Sequence, residues 1–100
     1  MRLARVRGTV VSSVKSSALS RHKLLLVADV DAADMGDGSG VGPTYVAVDL
    51  AGAGHDEVVI VTHGSAARVD VGGIDVPTDA AVIGIVDFVA IGGHQTYAKS

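Results

Sequence analysis

Apolar positions come in five short, β-branched segments separated by clusters of glycine, serine and aspartate, the spacing of an all-β barrel or sandwich. In the first, Arg2–Val14, alternation puts Ala4, Val6, Gly8 and Val10 on one face and Leu3, Arg5, Arg7 and Thr9 on the other. That is a strand with one wet side, and Gly8 marks a bulge. The second, Leu24-Leu25-Leu26-Val27-Ala28, does not alternate, so both its faces are expected to be covered, one by the core and the other by a partner chain. Thr44–Leu50 and Glu57–Thr62 make two more strands, joined through Ala51-Gly52-Ala53-Gly54, where glycine permits positive φ or close backbone approach. Val82–Ile91 reads as the last strand. Residues 92–100 are then a polar C-terminal tail to a domain of residues 1–91.

Helical periodicity is absent over any window of helix length. Gly64–Arg68, capped by Ser65, and Thr78–Ala81, capped by Thr78, suit single helical turns that are too short to stand alone. The acidic, glycine-rich stretch from Asp29 to Gly42 predicts an exposed, mobile loop.

Composition adds a constraint on assembly. At 100 residues the chain is one domain, yet 48% of it is apolar and its mean hydropathy is +0.43. A core this small cannot hide so much apolar side chain, which points to burial between subunits. The absence of cysteine excludes disulfides, thiolate metal sites and a cysteine nucleophile. Gly8–Ser13, after the arginine-rich start, offers no apolar signal region. The longest apolar stretch, Val76–Ile91, is broken by Pro77, Asp79 and Asp87. A soluble cytoplasmic protein with no membrane partner is expected.

Chemical motifs are weak. Ser12–Lys15 and Ser20–Lys23 both match S-x-x-K, but the companion S-D-N element is impossible without asparagine and K-T-G is missing. His22, His55, His63 and His94 sit in separate segments without ligand-pair spacing, as surface or interface histidines do. Asp29, Asp31, Asp34 and Asp37 lack the glycine and terminal glutamate offsets of a calcium loop. The glycines fit neither phosphate-binding pattern. No cofactor, metal or catalytic residue is therefore assigned. A single-stranded nucleic-acid-binding barrel is the alternative, but it needs a basic groove and stacking aromatics. This chain has net charge −3 and only Tyr45, Phe88 and Tyr97, so no nucleic-acid partner is expected.

Taken in order, Gly8-Thr9-Val10-Val11, Lys23–Val27, Val46–Asp49, Gly52-Ala53-Gly54, Gly64–Arg68 and Val76–Ala81 resemble the EutN/CcmL family of bacterial microcompartment vertex proteins. The resemblance runs from the first strand to Gly84–Asp87. It departs at Ala66-Ala67 and His55-Asp56, and in an expanded Asp34–Gly42 loop. It implies a five-stranded OB-like β-barrel with one or two short helical turns, assembled as a cyclic pentamer. Such a homopentamer is a structural, non-enzymatic part that seals shell vertices beside hexameric and trimeric shell proteins.

Two groups of residues carry that expectation. Gly52, Ala53 and Gly54 suit either a tight strand turn or backbones converging around a rotation axis. Leu25, Ser65, Arg68 and Asp79 are the candidates for the subunit interface. Arg68 has the fork for a bidentate contact, with Asp49, Asp79 or Asp87 as acceptor, or else is a solvated surface arginine. Asp79 is expected to cap backbone amides.

Overall fold

The computed structural model describes residues 1–13, 17–19, 22–33, 35, 42–67 and 78–99. The strands are β1 (Arg2–Val10), β2 (Lys23–Asp29), β3 (Thr44–Asp49), β4 (Val58–His63), β5 (Ala80–Ile85), β6 (Phe88–Ile91) and β7 (His94–Ala98). The first five close into a barrel in the order β1-β2-β3-β5-β4. Four of its seams are antiparallel; the fifth, β3 against β5, is parallel and pairs only Val48 with Ala81 and Asp49 with Val82. This is the all-β, OB-like barrel expected. The β1–β2 register shifts between Val6 and Gly8, at the bulge that Gly8 marks.

Small β-branched and alanine side chains fill the bore: Ala4, Val6, Val27, Ala47, Val59 and Val61 are all buried there. Leu25 joins them at 1% exposure, so it belongs to the protomer's own core and has no surface to offer a neighbour. On the second face of β2 the chain itself covers Leu24 and Ala28, while Leu26 between them is only half-buried. Leu24 packs with Val48, Ala67 and Ala81, flanked by Val10 and Leu19. Residues 65–67 form the helical turn expected after Gly64, and Ser17–Leu19 makes one 3-10 turn. These two turns cover the Leu24 end of the face that the non-alternating run asked a partner chain to cover. The apolar surplus lies elsewhere: Val46 is 44% exposed and Phe88 64%.

Four other expectations are corrected. Thr78–Ala81 is not a helical turn; Ala80 and Ala81 open β5. The single strand over Val82–Ile91 is two, because the chain turns at Val86-Asp87, where the Val86 amide bonds to Val58 O at 2.8 Å. The polar tail then supplies β7, which pairs antiparallel with β6 across Gly92 and Gly93, both at positive φ.

The fourth correction concerns Arg5, which alternation puts on a wet face yet is only 8% exposed. Its Nη1 donates to Asp56 O at 2.9 Å and its Nη2 to Met35 O at 3.4 Å, and the guanidinium lies 5.6 Å from the Tyr97 ring centroid. Beside it Met35, Val58 and Val86 form a further apolar cluster with Leu3, Val89 and Tyr97. The β6–β7 hairpin therefore covers one outer side of the barrel, and Arg5 lies beneath it.

Truncation tests where Leu25 sits. Leu25→Ala is expected to cost about 2–5 kcal/mol of stability, the range for emptying a packed core position, read as a lower urea midpoint. A midpoint unchanged in the variant would place Leu25 outside the core.

Candidate functional site

The turn between β3 and β4 is held by two carboxylates. Asp49, whose side chain is 2% exposed, ends β3 and folds back over the turn that follows it. Its Oδ1 accepts from the amides of Ala51 and Gly52 at 3.0 Å each, and its Oδ2 from Ala53 at 3.1 Å. Aspartate is suited to this because its short side chain reaches amides two to four residues on. Lys23 Nζ stands 4.0 Å from Asp49 Oδ2 and donates to Ala53 O at 3.2 Å, so the buried carboxylate has a cation beside it.

Glu57 closes the other end. Its Oε1 accepts from the Gly54 amide at 2.6 Å, its own amide donates to Gly54 O, and its Oε2 meets Lys99 Nζ at 2.8 Å. The Lys99 ammonium, followed by the Gly54 amide, holds the Glu57 carboxyl below its ordinary range. Lys99 is raised in turn by Glu57. Asp56, at φ 67°, and Glu57 are stitched to Val6 by two backbone bonds of 2.9 Å.

Within this frame the three turn residues differ. Ala53 is 1% exposed, its methyl packed in the barrel core. Gly52 is exposed at φ 79°, with open space where a Cβ would stand. Gly54 is half-buried against Glu57 Oε1. Gly52 is therefore the residue the turn presents outward, and a bulky side chain at Ala53 would crowd the core instead of any axis.

Ser65 and Asp79 are both exposed and come together, since the Gly64 amide donates to Asp79 O at 2.8 Å. The Ala80 amide is met by Thr78 Oγ1 at 3.3 Å. Arg68 lies outside the described residues, as do Lys15, Ser20, Asp34 and 36–41. Asp49, offered as an acceptor for Arg68, is occupied by its own turn and Lys23.

A polar cluster absent from the sequence-based expectations stands at another end of the barrel. Tyr45 donates to Asp29 Oδ1 at 2.7 Å, Arg2 pairs with Asp29 Oδ2 at 3.0 Å, and His63 Nε2 is 3.4 Å from the phenol oxygen. Burial, then the bond to Asp29, pushes the Tyr45 phenol up. That keeps it protonated, which suits a structural donor and opposes use as a base. Among the described residues no three His, Asp or Glu side chains converge as a metal site.

Comparison with known proteins gives this geometry a context. The family described as ethanolamine utilisation protein EutN/carboxysome matches residues 1–87. The carboxysome shell vertex protein CcmL of Thermosynechococcus vestitus is 42% identical over 100 residues, covering 99% of this chain and 96% of its own. The bacterial microcompartment shell vertex protein GrpN of Rhodospirillum rubrum is 49% identical over 89 residues, 89% of this chain and 96% of its own. Among solved structures, an ethanolamine utilization protein EutN superposes with a TM-score of 0.87 at 39% identity, covering 100% of both chains. GrpN of Rhodospirillum rubrum, described as a pentameric microcompartment shell protein, gives 0.75 at 45% identity, covering 91% of this chain and 98% of that one.

The ionic closure of the turn makes it sensitive to acid. A carboxylate whose folded pKa is depressed stabilises above its unfolded value and loses that contribution as pH falls through the folded one. The Lys99 side, raised, is lost only as pH rises through its folded value. Wild type is thus expected to show a higher Tm than Glu57→Gln at pH 7 and to lose that margin on acidification below pH 4 or so. Melting curves that stay parallel from pH 7 to 3 would count against the pair.

Proposed function

The chain belongs to the EutN/CcmL family, and on that premise we propose how its residues serve the role the family shares. It is a shell vertex protein of a bacterial microcompartment, a pentameric structural part and not an enzyme. The observation that carries this is the match over nearly the whole chain to vertex proteins of both carboxysomes and other microcompartments, one with a pentameric structure.

A cyclic pentamer brings one surface of each subunit against a different surface of the next, and it closes only if the rotation between them is right. We assign the outward-facing Gly52 to the ring's axis, with Gly54 behind it and Ala53 anchoring the turn in the core. What supports this is the exposure of Gly52, its positive φ, and the carboxylates of Asp49 and Glu57, which hold the Gly52 and Gly54 amides respectively. Backbones without side chains can converge where larger groups would collide. We assign Ser65 and Asp79, with Arg68 next along the chain, to the subunit contact; their support is exposure and the bond that joins their segments. Hexameric and trimeric shell proteins are the neighbours assigned to the pentamer's outer sides, a reading that rests on the vertex role.

Native mass spectrometry at micromolar concentration is expected to find five copies; a monomer or dimer would contradict the assignment. Gly52→Val forces a β-branched residue into left-handed backbone, at a cost of about 1–3 kcal/mol, and places bulk at the axis. Fewer pentamers, or a blocked centre in particle images, is the expected outcome. Unaltered rings with an unaltered centre would move Gly52 away from the axis.

A further inference from the structure

The Gly54 amide is not held by its own turn alone. It bonds to Glu57 Oε1 at 2.6 Å, whose other oxygen is 2.8 Å from Lys99 Nζ, at the far end of the chain. Lys99 is itself placed by its amide, which donates to Asp87 O at 2.7 Å, just beyond β5. The β6–β7 hairpin between them is pinned to the barrel at two more points. Thr96 Oγ1 donates to Ala32 O at 2.6 Å, and Tyr97 lies over the buried Arg5, whose Nη1 reaches Asp56 O in the turn's closing residues. Two routes, one ionic through Glu57 and one through Arg5, thus run from the C-terminal hairpin to the 54–57 turn. The family match ends at residue 87, before the hairpin begins, so the ammonium that closes the ionic route lies outside the matched segment.

We propose that the C-terminal hairpin is a positioning element for the 51–54 turn, with Lys99 acting through Glu57 to fix Gly54. Removing the ammonium leaves Glu57 free to turn into water, because a carboxylate held from one side only by a single amide has other rotamers to populate. Gly54 then loses its acceptor and the turn loosens from its β4 end, while Asp49 still holds its β3 end. Displacing the hairpin, as a contact with a neighbouring shell protein could, has the same effect as removing Lys99. The proposal extends the axial reading of the turn given above, but the clamp is defined by its own contacts.

Amide hydrogen exchange of the assembled full-length protein, read residue by residue, tests it. In Lys99→Met the Gly54 amide is expected to exchange about tenfold faster, with Val27 and Val61 unchanged and the native mass retained. Lys99→Arg, which keeps the cation, is expected to restore the wild-type rate. Gly54 exchange unaltered by Lys99→Met overturns the proposal, as does acceleration shared equally by the strand amides, which marks general destabilisation. The axial reading fails separately: intact rings with an unaltered centre in Gly52→Val would sink it and leave the Gly54 rates as informative as before.

Discussion

Closure of the barrel depends on its shortest seam. Four seams are antiparallel ladders, but β3 and β5 meet in parallel through two residue pairs, extended by the Leu50 amide on Val82 O at 3.0 Å. Parallel pairing is no stronger per residue than antiparallel, so this seam contributes little by itself. It holds because the apolar bore and the cluster of Leu24, Val48, Ala67 and Ala81 clasp it from both sides. Asp49 is the last residue of that seam. Its carboxylate position is therefore a consequence of closure, and the amides of 51–53 follow from its position. The outward face of the turn is built by the same packing that builds the core.

Much of the barrel is legible from residue pattern because its strands are short, β-branched and set apart by glycine, serine and aspartate. The β-branched content of β3 and β4 locates them within a residue or two, and alternation finds the start of β1 but carries it four residues past its end at Val10. The misreadings have specific causes. Alternation assigns Arg5 to water because it cannot know that a hairpin from the chain's other end will cover that face, with carbonyls placed to receive the guanidinium. Val86-Asp87 looks like strand interior because one aspartate in an apolar run is a small signal, yet β5 ends at Ile85 and β6 begins at Phe88. His94–Ala98 carries almost no strand pattern, and only its pairing with β6 makes it one. The double-sided run in β2 does signal burial on both faces, complete at Leu24 and Ala28 and partial at Leu26, but sequence cannot say whether the cover is another chain or the chain's own turns.

The site was legible in part. Glycine at 52 announces positive φ, and the structure has it. What pattern reading does not supply is the division of labour between Ala53, turned into the core, and Gly52, turned out. Asp49 and Glu57 had a local signal, since carboxylates just before and just after a glycine turn are placed to take its amides. The reach of Lys99 to Glu57 had none: it spans 42 residues of chain and depends on a hairpin that the sequence pattern does not show.

A vertex makes a different physical demand from an active site. Catalytic groups need pKa values moved toward the working pH. Here the resolved shifts run the other way, with Glu57 lowered, Lys99 raised and the Tyr45 phenol raised, each deepening the charge state it already has at neutral pH. Groups of that kind are fixed charges and fixed donors. In a ring of heterologous contacts an angular error at one interface is repeated at every other, so closure selects for rigidity in whatever sets the angle. Buried Asp49, paired Glu57 and the Tyr45–Asp29–Arg2 cluster each convert a polar side chain into an immobile strut, and that is the chemistry a closing piece requires.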